Sequence, residues 1–210
     1  MTPTPAFSIR LMTGADIDGV VGLQKLAFPP PFSEDLHWDP EHIAAHLSLF
    51  SEAQWVATID GHIIGSCSNA RISEASWQAH GSWGATMGGP MLRNFDPTGS
   101  TLYGLDITVH PDARKQGVGR AFYQARYQFV QDWKLTRYGT GCRLPDFRQF
   151  ATSNPRVSVE EYAKRVVEGE VVDRTLTPLL TYKLKFLGVI ENYMEDIESA
   201  NAAALLEWNP

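Results

Sequence analysis

The stretch LDITVHPDARKQGVGRAFYQARYQFV, residues 105–130, constrains the chain more than any other. An alternating run ends at Pro111, and a basic loop with two glycines follows. Then Val118, Ala121, Phe122, Ala125, Phe129 and Trp133 recur at helical spacing. The pattern predicts a strand over 101–110 and a helix over 116–133. A helix N-terminus carries N–H groups with no intrahelical acceptor and a partial positive charge. In RKQGVGR those donors begin beside Gly117 and Gly119, which have no Cβ to hold a bulky anion away. Arg114, Lys115 and Arg120 add positive charge, so the segment has the makings of a pyrophosphate cradle. It is not a Walker loop, because no Lys-Ser or Lys-Thr follows the second glycine. Nor is it a dinucleotide fingerprint, since position 122 is Phe and the turn from strand to helix is long. On the loop alone, a glycine-softened surface turn with solvated charges fits as well.

The remainder of the 210 residues, 43% of them apolar, suits one good core. A net charge of −6 gives neither nucleic acid nor an anionic membrane an attractive field. The first ten residues lack the apolar core of a signal peptide, and no apolar run approaches the ~18 residues of a spanning helix. Cys67 and Cys142 are far apart and in no ligand-like spacing, which suits a reduced cytoplasmic setting. A strand is expected over 6–13 and a helix over 14–28, stopped by the prolines at 29–31. Asp39 and Pro40 read as N-cap and first residue of a helix over 40–50. Two β-branched runs over 54–72 flank Asp60-Gly61 as a hairpin. Residues 73–100, rich in Gly, Ser and Trp, read as a loop-rich insertion. A short strand over 138–144 precedes a helix over 157–169 with a Ser158/Glu161 capping box, then a helix over 177–185. Strands over 186–193 and 202–208 close a single mixed α/β domain spanning 1–210.

Strand and loop together resemble the acetyl-CoA signature of the Gcn5-related N-acetyltransferases, R-x-x-G-x-G after a strand ending in Val-x-Pro. FPPPFSEDLHWDPEHIAAHL, GCRLPDF, SVEEYAKRVVEGEVVD and GVIENY resemble one branch of that superfamily, found alone or ahead of a nitrilase-type amidase. The resemblance implies a central, mainly antiparallel sheet of six to seven strands flanked by helices. It implies acetyl-CoA as co-substrate and direct transfer of an acetyl group to a primary amine on a small molecule or a protein. A non-catalytic acyl-CoA-binding module is the alternative. By the same resemblance the backbone of Ile107 and Val109 pairs with the pantetheine arm. Arg114, Lys115, Gln116, Gly117, Val118, Gly119 and Arg120 then form the pyrophosphate loop.

Acetyl transfer needs a neutral amine, yet an alkylamine with a pKa of ~10 is almost wholly protonated at neutral pH. Asp106 is the candidate base, as the family often places an acidic residue or histidine on this strand. Alternation puts Tyr103, Leu105 and Ile107 on one face and Asp106, Thr108 and His110 on the other. A bulge around residues 107–109 could expose an N–H to the tetrahedral oxygen and would flip that parity. Tyr182 is the candidate acid for the departing thiolate, on the helix where the family often carries a tyrosine. The Gly-Phe that usually follows that helix is absent here. Glu34 and Asp35, in the proline-stiffened loop, are candidates for selecting the amine. His42 and His46 lie four apart but without HExxH or a third ligand, so no metal site is expected. Cys67 reads as a buried small hydrophobe.

Overall fold

The structure is a computed structural model that describes residues 7–210. The strand expected from Ala6, and the N-terminal residues read for a signal peptide, thus lie partly or wholly outside the described residues. Seven strands make one sheet in the order β1-β2-β3-β4-β5-β7-β6. They are β1 (Ser8–Leu11), β2 (Trp55–Ile59), β3 (His62–Ile72), β4 (Thr101–Val109), β5 (Arg137–Arg143), β6 (Lys185–Ile190) and β7 (Ala203–Trp208). Every neighbouring pair is antiparallel except β4 and β5. The expected mixed, mainly antiparallel sheet flanked by helices is present.

Helices α1 (Ile17–Ala27) and α2 (Pro40–Phe50) cover one face, burying Val20 and Ile43 against Val56 and Met12. The other face carries α5 (Val118–Asp132), α7 (Val159–Glu168) and α8 (Leu176–Thr181) over a core of Val118, Phe122, Tyr138, Tyr162 and Leu206. Burying each such side chain is worth about 1.5–3 kcal/mol. The β2–β3 hairpin turns at Asp60 and Gly61, with φ of 49° and 82°, as that pair predicts. Asp39 caps α2 by accepting the His42 N–H at 3.0 Å, with Pro40 in the first turn.

Four expectations are corrected. Residues 73–100 contain α3 (Glu74–Gln78) and α4 (Trp83–Met87), and they bury Trp77, Met87 and Leu92. Ser73 and Ser82, which suggested loop, are N-caps: their hydroxyls accept from the Ser76 and Ala85 N–H groups. Helix α5 begins at Val118 rather than Gln116, and its buried face holds Tyr123, Arg126 and Val130, whereas Trp133 is 42% exposed. An unforeseen helix, α6 (Phe147–Ser153), follows β5. At α7 only half of the capping box forms, because Glu161 turns outward to Arg165.

Candidate active site

The parallel pair β4–β5 holds for three residue pairs, Thr101↔Arg137, Leu102↔Tyr138 and Tyr103↔Gly139. Beyond them β4 stays with β3 and β5 stays with β7, so the sheet forks. The His110 N–H donates to Ile64 O at 2.9 Å, which points His110 toward β3. Backbone direction alternates along a strand, so Asp106 and Thr108 also face β3. Ile107 and Val109 therefore turn their N–H and C=O groups into the fork.

The bulge lies two residues before the segment expected to hold it. Asn69 pairs with Gly104 and Ser68 with Asp106, which leaves Leu105 as the extra residue. Parity consequently breaks before Ile107. Leu105 joins Tyr103 in the cluster around Trp77 and Tyr193, while Ile107 packs toward Val118 and Phe122 on the α5 side. Arg126, 2% exposed, reaches up from α5 and binds the bulge: Nε donates to Asn69 Oδ1 at 2.7 Å, and Nη2 donates to Ser68 O and Asp106 O. The Tyr123 and Tyr138 rings flank its guanidinium.

The fork opens beside the glycine loop. Lys115 and Gly117 both have positive φ, 63° and 92°. Among the described residues, no N–H from Lys115 to Arg120 finds a backbone acceptor; the next one, of Ala121, bonds to Gly117 O. Consecutive unengaged donors around left-handed residues form an anion-binding concavity. Arg114 does not point freely into it, since its Nη2 donates to Ala27 O at the end of α1, 2.9 Å away. The Gln116 side chain likewise folds back onto Asp112 O.

Tyr182 is not within a helix; it caps α8, one residue past Thr181. Its ring stacks beside Tyr123 and Arg120, and its backbone oxygen accepts from the Tyr127 hydroxyl. The Tyr182 hydroxyl is 3.9 Å from where a Cβ on Gly119 would be, at the first turn of α5. Asp106 stands on the α1 side of the sheet. Its Oδ2 accepts from Thr108 Oγ1 at 2.7 Å and from Gln24 Nε2 at 3.3 Å. Burial raises its pKa above the ordinary carboxylate value, against the pull of those two donors. Tyr182 and Asp106 thus lie on opposite faces of the sheet at the fork.

The 28–39 loop, joined to Asp106 through Gln24, lines a cavity of about 480 Å³ with Lys25, Phe28, Phe32, Glu34, Asp35 and Trp38 among others. Phe32 rests on the Arg143 guanidinium, which pairs with Asp196 through two hydrogen bonds of 2.7 and 2.8 Å. His46 is buried against Pro90 O and Trp38, and burial lowers its pKa to about 4. His42 faces Asp39 instead. Burial pushes the Cys67 thiol up to about 11, which leaves it no thiolate at neutral pH. Among the described residues no three His, Cys, Asp or Glu side chains gather to hold a metal, and no helix is long and apolar enough to cross a membrane.

Sequence reasoning missed Arg126 and Gln24. Their signal was present: each is a polar residue on the buried stripe of its helix, Gln24 four after Val20 and Arg126 four after Phe122.

Residues 17–149 match the acetyltransferase (GNAT) family. A Bacillus subtilis relative, described as the uncharacterized N-acetyltransferase YkwB, is 34% identical over 203 residues, covering 97% of this chain and 88% of its own. In structure, the loading GNATL domain of CurA from Lyngbya majuscula superposes with a TM-score of 0.82 at 17% identity, over 97% of this chain and 98% of that one. The GNAT-like decarboxylase GphF, solved with isobutyryl-CoA, superposes with a TM-score of 0.76 at 19% identity, over 96% and 98%.

Proposed function

Because this chain belongs to the acetyltransferase (GNAT) family, we propose that it moves an acetyl group from acetyl-CoA directly to a primary amine, with the thioester seated in the fork between β4 and β5. One observation carries the reading: the fork leaves the backbone of Ile107 and Val109 unpaired on the side that leads to the unengaged N–H groups of Lys115 to Arg120. Pantetheine can pair with the first as an added strand, and the diphosphate can occupy the second. The strands of one sheet run from residue 8 to residue 208, which supports treating the chain as a single domain.

Each residue then has a task. Asp106 takes a proton from the incoming ammonium, for which a carboxylate with a raised pKa is better suited than an ordinary one. The neutral nitrogen attacks the thioester carbon, and a C–N bond forms as the carbonyl becomes an oxyanion. Collapse breaks the C–S bond, and the thiolate of coenzyme A takes a proton from the Tyr182 hydroxyl on the opposite face. The amide nitrogen sheds its second proton and Asp106 returns the first to solvent, while Tyr182 regains one, so the products are the amide, coenzyme A and one net proton. The test is thiol release from acetyl-CoA with a panel of small primary amines and peptides, run on wild type and Asp106→Asn. The variant should lose ~10²–10⁴-fold in rate while still gaining thermal stability from acetyl-CoA. Thermal stabilisation with no thiol release for any amine would instead favour a non-catalytic acyl-CoA-binding module.

A further inference from the structure

Gln24 is 3% exposed and lies between Val20, Leu23 and Ala27 on the face that α1 turns to the sheet. Burying a carboxamide is costly unless both ends are bonded. Both are. Its Oε1 accepts the Trp38 N–H at 2.7 Å, and its Nε2 donates to Asp106 Oδ2 at 3.3 Å. The orientation is forced, because a backbone N–H can only donate and so must meet the oxygen, which leaves the NH₂ for the carboxylate. Trp38 belongs to the loop that walls the cavity, and its ring packs on His46 and Trp83. Thr108 also donates to Oδ2, and the Ile107 N–H adds a further hydrogen bond to the carboxylate.

We propose that Gln24 is a positioning residue that relays the seating of the Trp38 loop to Asp106. When the loop is seated, Trp38 holds the amide oxygen and the amide nitrogen holds Oδ2, so the carboxylate is kept in one orientation. When Trp38 departs, the amide is free to turn and Asp106 loses a donor. Emptying the acceptor cavity and loosening the base become one event. The catalytic meaning of this relay rests on the reading of Asp106 as the base. The other titratable or charged groups facing Asp106 are Arg126 from α5 and the Cys67 thiol from β3, and neither changes in the variants below.

The experiment follows the ¹³C carboxyl signal of Asp106, assigned by its absence in Asp106→Asn, across pH, together with hydrogen exchange of the Trp38 amide. Gln24→Met removes both bonds: the Asp106 midpoint should rise by roughly half a unit or more, and Trp38 should exchange faster. Gln24→Glu keeps an acceptor for Trp38 and puts a like charge beside Asp106: the midpoint should rise further while Trp38 exchange stays slow. A packing role alone would not separate the two readouts. An Asp106 midpoint unmoved in both variants overturns the relay. If Asp106→Asn releases thiol at the wild-type rate, the base reading falls, and the catalytic part of the relay falls with it, whatever the titration shows.

Discussion

Gly119→Ala should move the stability of the free and the liganded protein in opposite directions. Gly119 is the second residue of α5, and a Cβ built there meets nothing closer than the Tyr182 hydroxyl at 3.9 Å, an ordinary contact. Alanine in place of a helical glycine gains about 0.5–1 kcal/mol, and at this chain length each kcal/mol is worth roughly 2–4 °C. The free protein should therefore melt about 1–4 °C higher. Acetyl-CoA at a hundredfold excess over Kd should stabilise wild type by ~2.7 kcal/mol. If a diphosphate sits against the first turn of α5, the new methyl holds it off the N–H groups. A tenfold loss of affinity would remove ~1.4 kcal/mol, about half of the ligand-induced rise. Scanning calorimetry with and without millimolar acetyl-CoA reads both effects on one sample. An undiminished rise in Gly119→Ala would show that the diphosphate does not use this turn.

Asp106→Asn carries a pH signature of its own. Burial raises the folded pKa, so the folded chain holds this proton more tightly than the unfolded one, and its contribution to stability falls as pH climbs from about 4 through the raised value. The variant should gain on wild type across that window in urea titrations; a difference flat with pH would refute it. Arg126→Met strands Asn69 Oδ1, Ser68 O and Asp106 O, and should cost about 3 kcal/mol or more; a loss below about 1 kcal/mol would mean that water replaces the guanidinium. Glu34→Gln with Asp35→Asn should raise KM for the amine severalfold and leave KM for acetyl-CoA alone, and equal or absent effects would remove the loop from acceptor selection.

The glycine loop was legible because its conformation is local. Gly117 at φ 92° and the unengaged donors after it follow from residue type and sequence position. The hairpin at Asp60-Gly61 was legible for the same reason. The bulge was not, because alternation along β4 contains no mark of where a residue is skipped. Its place is fixed from outside the strand, by a guanidinium on α5 and an amide on β3. Helices α3 and α4 escaped notice because five residues are too few to display a period, although Ser73 and Ser82 gave the caps away. Tyr182 was named from the family resemblance alone, and its place beyond α8 depends on how Tyr127 grips its backbone.

With three residue pairs joining β4 to β5, the sheet is nearly two leaves, β1-β2-β3-β4 and β5-β7-β6, stitched at one end and spanned by α5. Such a molecule need not open as one cooperative unit, since either leaf can loosen while losing little of the other's ladder. A cofactor arm lying along Ile107 and Val109 would lace the free ends together. Occupancy would then register far from any reacting atom, as slowed amide exchange reaching β6 and β1 at the two outer margins.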